Sequence, residues 1–369
     1  RRVFVRPKKP LSPRKKNLCK MYMLRSLTYE QAIAEALGQE MERDASVFVY
    51  GLDVADHKKI FGSTKGLEKF GPKRFFGTPL SEEAMTGVGL GAAINGLRPV
   101  HVHIRVDFLL LAMNQLINMV APARFGSGGV LKAPLVIRAV IGRGWGQAFQ
   151  HSKSLQSVFA HIPGIKVVMP SNAYDAKGLL ISAIRDDNPT VFLEHRWLYW
   201  MEGKVPAEPY TIPLGKVRLV RKGKDVTIVA TSWMNVEAYK AAEILARKQG
   251  VEVEILDPRT IYPLDKAALV RSVNKTGHCI VADYDWEFCG FSAEVAALVS
   301  ENCFGRLKSP VTRIAFPHTH CATTRPLENA FYPNAVSIIR AVEKKLQLKP
   351  TDLSGEEFYS WENRFKGPF

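Results

Sequence analysis

The sequence predicts an α/β protein of two domains, each a parallel or mixed sheet flanked by helices. Three observations predict it. Short apolar, β-branched runs alternate with helical patterns along most of the chain, the mark of parallel sheets. At 369 residues the chain exceeds what one ordinary core holds. A proline-bearing break, MEGKVPAEPYTIPL at 201–214, separates two stretches of that alternation. The expected division is a basic arm over 1–25, a first domain over 26–200, a linker over 201–214, a second domain over 215–346 and a tail over 347–369.

Taken in order, Thr28-Tyr29-Glu30-Gln31 reads as a capping box that opens a helix, with Ala32, Ile33, Ala36, Leu37 and Met41 at helical spacing. The run 46–50, SVFVY, is a strand. The stretch 56–72 is polar and glycine-rich, a loop with a short helix. TPLSEEAMTGVGLG at 78–91 starts with a proline break and two acids and continues as a small-residue helix. RPVHVHIRV at 98–106 is a strand, 108–123 an apolar helix, and the glycines at 126, 128 and 129 close it. Strands follow at 135–140, 167–169 and 190–193, with a helix at 173–185. Beyond the break, strands are expected at 225–230, 251–256 and 279–282, and helices at 236–248, 266–273, 292–299 and 335–346. The tail is polar and aromatic and suits a surface or a neighbouring chain.

Hydrophobic residues make up 46% and charged residues 23%, ordinary for a globular protein, and no apolar run reaches the length of a membrane span. Ten of the sixteen net positive charges lie in residues 1–25, which hold five Arg, five Lys and no acid. The basic excess is thus an arm and not a basic globular face. It reads as disordered, with targeting or an acidic partner as the other uses of such a segment. Cys19, Cys279, Cys289, Cys303 and Cys321 show no CxxC spacing, which disfavours a zinc ribbon or a disulfide scaffold and suits a reducing compartment.

Several motifs carry little weight alone. Gly87-Val88-Gly89-Leu90-Gly91 and Gly142–Gly146 lack the dinucleotide spacing G-x-G-x-x-G. No GxxxxGK[ST] and no GxSxG occurs. His101 and His103 share one strand face, as metal ligands can, but such pairs are more often packed or hydrogen-bonded. His318 and His320 with Cys321 lack a second cluster to complete a zinc site. Glu82, Phe108 and His151 remain, each with a plain reading: a first-turn acid that suits the helix dipole, a core aromatic, a solvated loop histidine. Together they suit one chemistry. A buried carboxylate hydrogen-bonds a ring nitrogen, an aromatic side chain stacks on that ring, and a histidine moves protons near neutral pH.

The order of motifs resembles the beta subunit of the thiamine-diphosphate-dependent decarboxylase component of 2-oxoacid dehydrogenase complexes, of the pyruvate or branched-chain type in the transketolase superfamily. The resemblance spans about residues 24–345. It rests on TPLSEEAMTGVGLGAAINGLRPV (78–100), DFLLLAMNQLINMVAPARFGSGG (107–129), QHSKSLQSVFAHIPGIKVVMPSNAYDAKGLLISAIRDDNP (150–189), IPLGKVRLVRKGKDVTIVATS (212–232) and VEVEILDPRTIYPLD (251–265). It implies a transketolase-like pyrimidine-binding domain followed by a transketolase C-terminal domain. Glu82 matches the glutamate that hydrogen-bonds the aminopyrimidine, favours its imino tautomer and so activates the thiazolium carbon. Phe108 matches the aromatic that stacks on the aminopyrimidine, and His151 the histidine placed for proton transfer during acyl transfer to lipoamide. Leu135, Ala183, Ile184, Asp186 and Asn188 match a structural potassium site.

The resemblance also implies partners. The family's alpha subunit holds magnesium and the diphosphate through a GDG…N motif, and no GDG occurs here. Half of the cofactor site is then expected on another chain, in a heterotetramer of two alpha and two beta subunits docked on a lipoyl acyltransferase core. The compartment would be the cytoplasm in a bacterium or the mitochondrial matrix in a eukaryote. The basic arm and the tail lie outside the pattern. Arg105 and Asp107 depart from it by placing charge beside Phe108. Two other readings stay open: an acetoin-cleaving or transketolase-like thiamine enzyme subunit, and a non-catalytic structural or nucleic-acid-binding homologue. The retention of Glu82, Phe108 and His151 together disfavours the last.

Overall fold

The structure, a computed structural model, describes residues 24–143 and 146–358. All but two residues of the basic arm lie outside that range, as do Gly144 and Trp145 in the 142–146 motif and the tail from 359 on. The chain enters on β1 (Leu24–Thr28) and turns into α1 (Tyr29–Arg43). The Thr28 amide donates to Gln31 Oε1 at 3.1 Å, the return contact of the expected capping box. Ala32, Ile33, Ala36, Leu37 and Met41 are buried, as their spacing requires.

The first sheet is built from β2 (Val47–Gly51), β3 (Phe75–Gly77), β4 (Arg98–His103), β5 (Val136–Ile141), β6 (Lys166–Val168) and β7 (Thr190–His195), all parallel. Its central strands are buried throughout, which is why they read as continuous apolar runs. A seventh strand, β12 (Thr260–Tyr262), comes from the second domain and pairs antiparallel with β6, giving the order β12-β6-β7-β5-β4-β2-β3. Helix α2 (Glu82–Ile94) follows β3 and buries Thr86, Gly89, Leu90 and Ala93. The side chain at 89 has to be a hydrogen: a Cβ there would fall 2.2 Å from Tyr50 Oη. That hydroxyl donates to the Met85 carbonyl at 2.9 Å, fixing α2 on β2.

The apolar stretch 108–123 is not the single α-helix its composition suggested. It runs as α3 (Val106–Leu109), a 3₁₀ turn at Leu110–Ala112, a π-helical segment at Gln115–Val120 and α4 (Ala123–Gly126), with a bend of 63° between its halves. Val106, Leu109, Ala112, Leu116 and Val120 face the core, while Leu110, Leu111, Ile117, Met119 and Phe125 are exposed. An apolar run with apolar residues on every side has no 3.6 period to set its pitch, so packing on one face decides it. Helices α5 (Gln156–Ala160) and α6 (Ala173–Arg185) complete the domain, the latter as expected.

The stretch 201–214, expected as a linker, begins with a strand. β8 (Glu202–Pro206) pairs antiparallel with β1 in a two-stranded ribbon. The second sheet holds β9 (Arg218–Arg221), β10 (Val226–Ala230), β11 (Val253–Asp257), β13 (Cys279–Trp286) and β14 (Thr312–Phe316), in the order β14-β13-β10-β11-β9 with only β9 antiparallel. Its helices are α7 (Met234–Gln249), α8 (Lys266–Thr276), α9 (Phe291–Cys303), α10 (Arg325–Phe331) and α11 (Ala335–Leu346). The described part of the tail lies on its own domain: Gln249 Nε2 donates to the Lys349 carbonyl at 3.1 Å, and Arg247 pairs with Glu356.

The two sheets share their cores, for each of the two large apolar clusters draws residues from both domains. Polar ties reinforce the join. Buried Asp175 on α6 takes Arg259 at 2.9 Å and Arg218 at 3.3 Å. Gln156 Nε2 donates to Asp283 Oδ1 at 2.8 Å and to the Tyr284 carbonyl at 3.1 Å.

Candidate active site

A cleft of about 640 Å³ opens where the parallel strands of the first sheet end. Its walls are the residues just past the carboxyl ends of those strands: Leu52 and Asp53 after β2, 78–82 after β3, Ile104, Arg105 and Phe108 after β4, Gln147 and His151 after β5, and Arg196 after β7. Open α/β sheets hold their ligands in this crevice. The lining is mostly apolar with a few polar groups aimed inward, the usual make-up of a small-molecule site.

Glu82, Phe108 and His151, spread over 70 residues of sequence, line this one cleft. Glu82 is the first residue of α2 and half-buried, and its carboxylate has no hydrogen-bond or ion-pair partner among the described residues. Its neighbour Glu83 turns outward instead and accepts from Asn114 at 3.1 Å and Gln115 at 3.3 Å. The Phe108 ring is 38% exposed, with His151 edge-on to it at 5.3 Å between centroids. Burial and the Arg105 guanidinium hold the His151 imidazole below its usual pKa, with Asp107 acting against them. A free carboxylate, an open ring face and a neutral imidazole in one crevice fit a flat heteroaromatic ligand bearing a protonatable nitrogen.

Beneath them lie Arg105, Asp107, His101 and His103, which the sequence marks, together with Gln147 and Arg196, which it does not. Arg105 is buried and donates to the Gly142 carbonyl at 3.1 Å and to Gln147 Oε1; Arg196 reaches the same oxygen at 3.4 Å. Asp107 pairs with Lys153 at 3.0 Å, leaving its Oδ2 without a hydrogen bond. His101 and His103 meet, Nδ1 to Nε2, at 3.3 Å, and Tyr50 stacks on His101 at 4.5 Å. Burial lowers both imidazoles, His103 to about 3, so both are neutral at pH 7. The pair is therefore packed and hydrogen-bonded on the cleft wall. Among the described residues no group of three or more His, Cys, Asp or Glu is placed to hold a metal ion. Under the sheet, Arg138 pairs with Glu194 through 2.5 and 2.8 Å contacts and reaches Ser63 at 2.9 Å, which ties the 52–61 wall to the strands. A charge inside each apolar strand, VIRAVI and TVFLEH, was the signal for that pair.

The five residues matched to a potassium site do gather, at the end of α6 and the start of β5. Their oxygens already meet donors of this chain. Arg98 donates to the Ile184 and Asp186 carbonyls at 3.0 and 3.1 Å, Arg124 to Asn188 Oδ1 at 3.0 Å, and Lys166 to the Asp186 carboxylate. The Ala183 carbonyl accepts from the Asp186 amide and the Leu135 carbonyl from Thr190. Guanidinium and ammonium groups thus reach part of this cluster, and each carbonyl in it keeps a second lone pair.

Comparison with known proteins follows the same lines. The transketolase pyrimidine-binding domain family matches residues 25–201, and the transketolase C-terminal domain family matches 215–338. The chain is 42% identical over 335 residues to the beta subunit of acetoin:2,6-dichlorophenolindophenol oxidoreductase of Cupriavidus necator, covering 88% of this chain and 99% of that protein. It is 40% identical over 321 residues to the 2-oxoisovalerate dehydrogenase subunit beta of Bacillus subtilis, covering 86% and 98%. It is 38% identical over 324 residues to the pyruvate dehydrogenase E1 component subunit beta of Rickettsia bellii, covering 88% and 99%. Among solved structures, a split-gene transketolase described as an inactive beta4 tetramer superposes with a TM-score of 0.70 at 23% identity, over 88% of this chain and 99% of that one, and shares the fold.

Proposed function

Because the chain belongs to the transketolase-type, thiamine-dependent family of E1 beta subunits, we propose that it supplies the aminopyrimidine half of a 2-oxoacid decarboxylase site. The observation that carries the reading is the convergence of Glu82, Phe108 and His151 on one crevice. Thiamine diphosphate, when bound, supplies the nucleophilic carbon and the electron sink for breaking the bond between a keto carbon and its carboxylate. Glu82 would hold a proton on the aminopyrimidine ring nitrogen, which its unpartnered carboxylate is free to do. Phe108 would orient that ring by stacking. His151 would move a proton at the substrate oxygen and during acyl transfer to lipoamide.

The rest of the site would come from an alpha subunit carrying magnesium and the diphosphate, in a heterotetramer of two alpha and two beta subunits on a lipoyl acyltransferase core. Leu80, Leu111, Phe125 and Val130 are 75%, 61%, 91% and 82% exposed, and the first two stand at the cleft itself. So much bare apolar surface supports a covering chain. A structural potassium ion at Leu135, Ala183, Ile184, Asp186 and Asn188 would share the Ile184 and Asp186 carbonyls with Arg98. The compartment proposed is the bacterial cytoplasm or the mitochondrial matrix.

The test is co-expression with the alpha partner and assay of 2-oxoacid decarboxylation with thiamine diphosphate and magnesium, beside Glu82→Gln. Turnover that needs both chains and collapses in the variant is expected. A folded pair that binds no thiamine diphosphate refutes the reading. An acetoin-cleaving subunit is the second reading, favoured by the Cupriavidus relative, and acetoin belongs in the same assay.

A further inference from the structure

Arg105 is 2% exposed on the wall of the cleft, and no carboxylate pairs with it among the described residues. Asp107, the acid nearest in sequence, is held by Lys153 at 3.0 Å. What Arg105 does touch is neutral: the Gly142 carbonyl and the Gln147 side-chain oxygen. Arg196 donates to that same oxygen at 3.4 Å while its guanidinium lies 4.6 Å above the Phe61 ring. Two guanidinium groups thus converge on one amide oxygen at the edge of an apolar cavity. Like charges so placed repel each other, and Asp107, which attracts Arg105 from within its own ion pair with Lys153, offsets only part of the desolvation cost of that buried cation. An anion entering the cleft relieves both, and a guanidinium fork matches carboxylate or phosphate oxygens two at a time.

We propose that Arg105, supported by Arg196, determines substrate specificity by holding a second anionic group, a carboxylate or a phosphate-like group, at the end of the substrate remote from its keto carbon. The proposal rests on the 2-oxoacid reading of the cleft. The departing carboxylate is the wrong ligand for Arg105. As the bond to the keto carbon breaks, the electron pair stays on that carbon and neutral carbon dioxide leaves. A cation on that carboxylate therefore stabilises the ground state above the transition state. A cation on a distal anion is indifferent to the step and adds binding alone. His101 and His103, both neutral, line the same wall, so a purely apolar acyl chain would leave a charge and polar nitrogens facing it unmatched.

The experiment uses the assembled pair with thiamine diphosphate and magnesium. Turnover is compared for length-matched acids: 2-oxopentanoate, 2-oxoglutarate and 2-oxo-4-phosphonobutyrate. Calorimetric binding of the unreactive glutarate and pentanoate runs beside it. One or both dianionic acids are expected to exceed 2-oxopentanoate at least about tenfold in kcat/KM, and which one leads separates carboxylate from phosphate-like ligands. Arg105→Gln should erase that preference through KM and abolish glutarate binding, and Arg105→Lys should restore part of both. No preference for a dianion together with no Arg105-dependent glutarate binding overturns the proposal. So does an Arg105→Gln variant that loses all three acids equally. If glutarate binds through Arg105 while no 2-oxoacid is turned over, the decarboxylase reading falls and the anion site stands.

Discussion

Glu82 is an acid without a partner among the described residues: half-buried, at the start of a helix, its oxygens unclaimed there. A residue held in place for folding would show a partner. Glu82→Gln is therefore expected to leave the melting temperature unchanged while lowering kcat by about 10²–10⁴-fold in the assembled enzyme, the usual range for a proton-handling group. His151 offers an independent check. Burial, Arg105 and Lys153 depress its pKa while Asp107 and the Gln147 carbonyl raise it. If its neutral form takes the proton, the acid limb of kcat/KM lies below about pH 6.5. Removing a negative neighbour by Asp107→Asn lowers that pKa and moves the limb to lower pH; Arg105→Gln moves it to higher pH. A limb indifferent to both changes belongs to another group. Glu82, Phe108 and His151 were legible in the sequence because their types and order match a pattern. Arg196 and Gln147 were not, since loop residues after strands obey no period and their meeting depends on strand order.

At the scale of elements, the helices announced themselves wherever one face is buried. α1, α6 and α11 carry their spacing openly and begin at or beside the expected residues. The short edge strands did not, because β9, β12 and β14 are defined by what they pair with and not by their own three to five residues. Glycine 89 shows how local choice serves the site. Gly89→Ala puts a methyl against Tyr50 Oη and, at 3.1 Å, Leu135, and overpacking of this kind costs about 1–3 kcal/mol. A drop in urea midpoint together with weakened cofactor binding is expected, since Glu82 starts the same helix. β13 gives a pH-dependent case. Burial and Asp285 push the Asp283 carboxyl from 3.8 up to about 7. The folded state thus keeps a proton that the unfolded chain has lost, so this group's contribution to stability falls as pH rises from about 4 to about 7. Asp283→Asn is expected to gain on the wild type between pH 5 and 7 and hold that gain at pH 8. A difference independent of pH would refute the assignment.

For the whole molecule, the alternation of strand and helix disclosed two sheets, and the proline-bearing break marked where one motif set ends. The join between them was hidden, because Asp175 with Arg218 and Arg259, or Gln156 with Asp283, are contacts across more than forty residues that no local pattern encodes. Shared apolar clusters and these ties predict a single calorimetric unfolding transition for the chain. Asp175→Ala leaves two arginines without their carboxylate and is expected to cost about 2–4 kcal/mol, less than a fully buried pair because Arg218 reaches water. Two resolved transitions in the wild type would contradict this account.

The strand that β12 lends to β6 has a bearing on how this chain can be cut. The pyrimidine-binding module recognised in the sequence stops at residue 201, sixty residues before the strand that seals its sheet. Severed there, β6 would present a bare row of amides and carbonyls, a template on which strands of other molecules add. The sequence module is thus smaller than the unit that stays soluble. A truncation placed at the apparent domain boundary should yield aggregates, since it bares this edge, removes the β8 partner of β1 and opens the apolar clusters that the two sheets share.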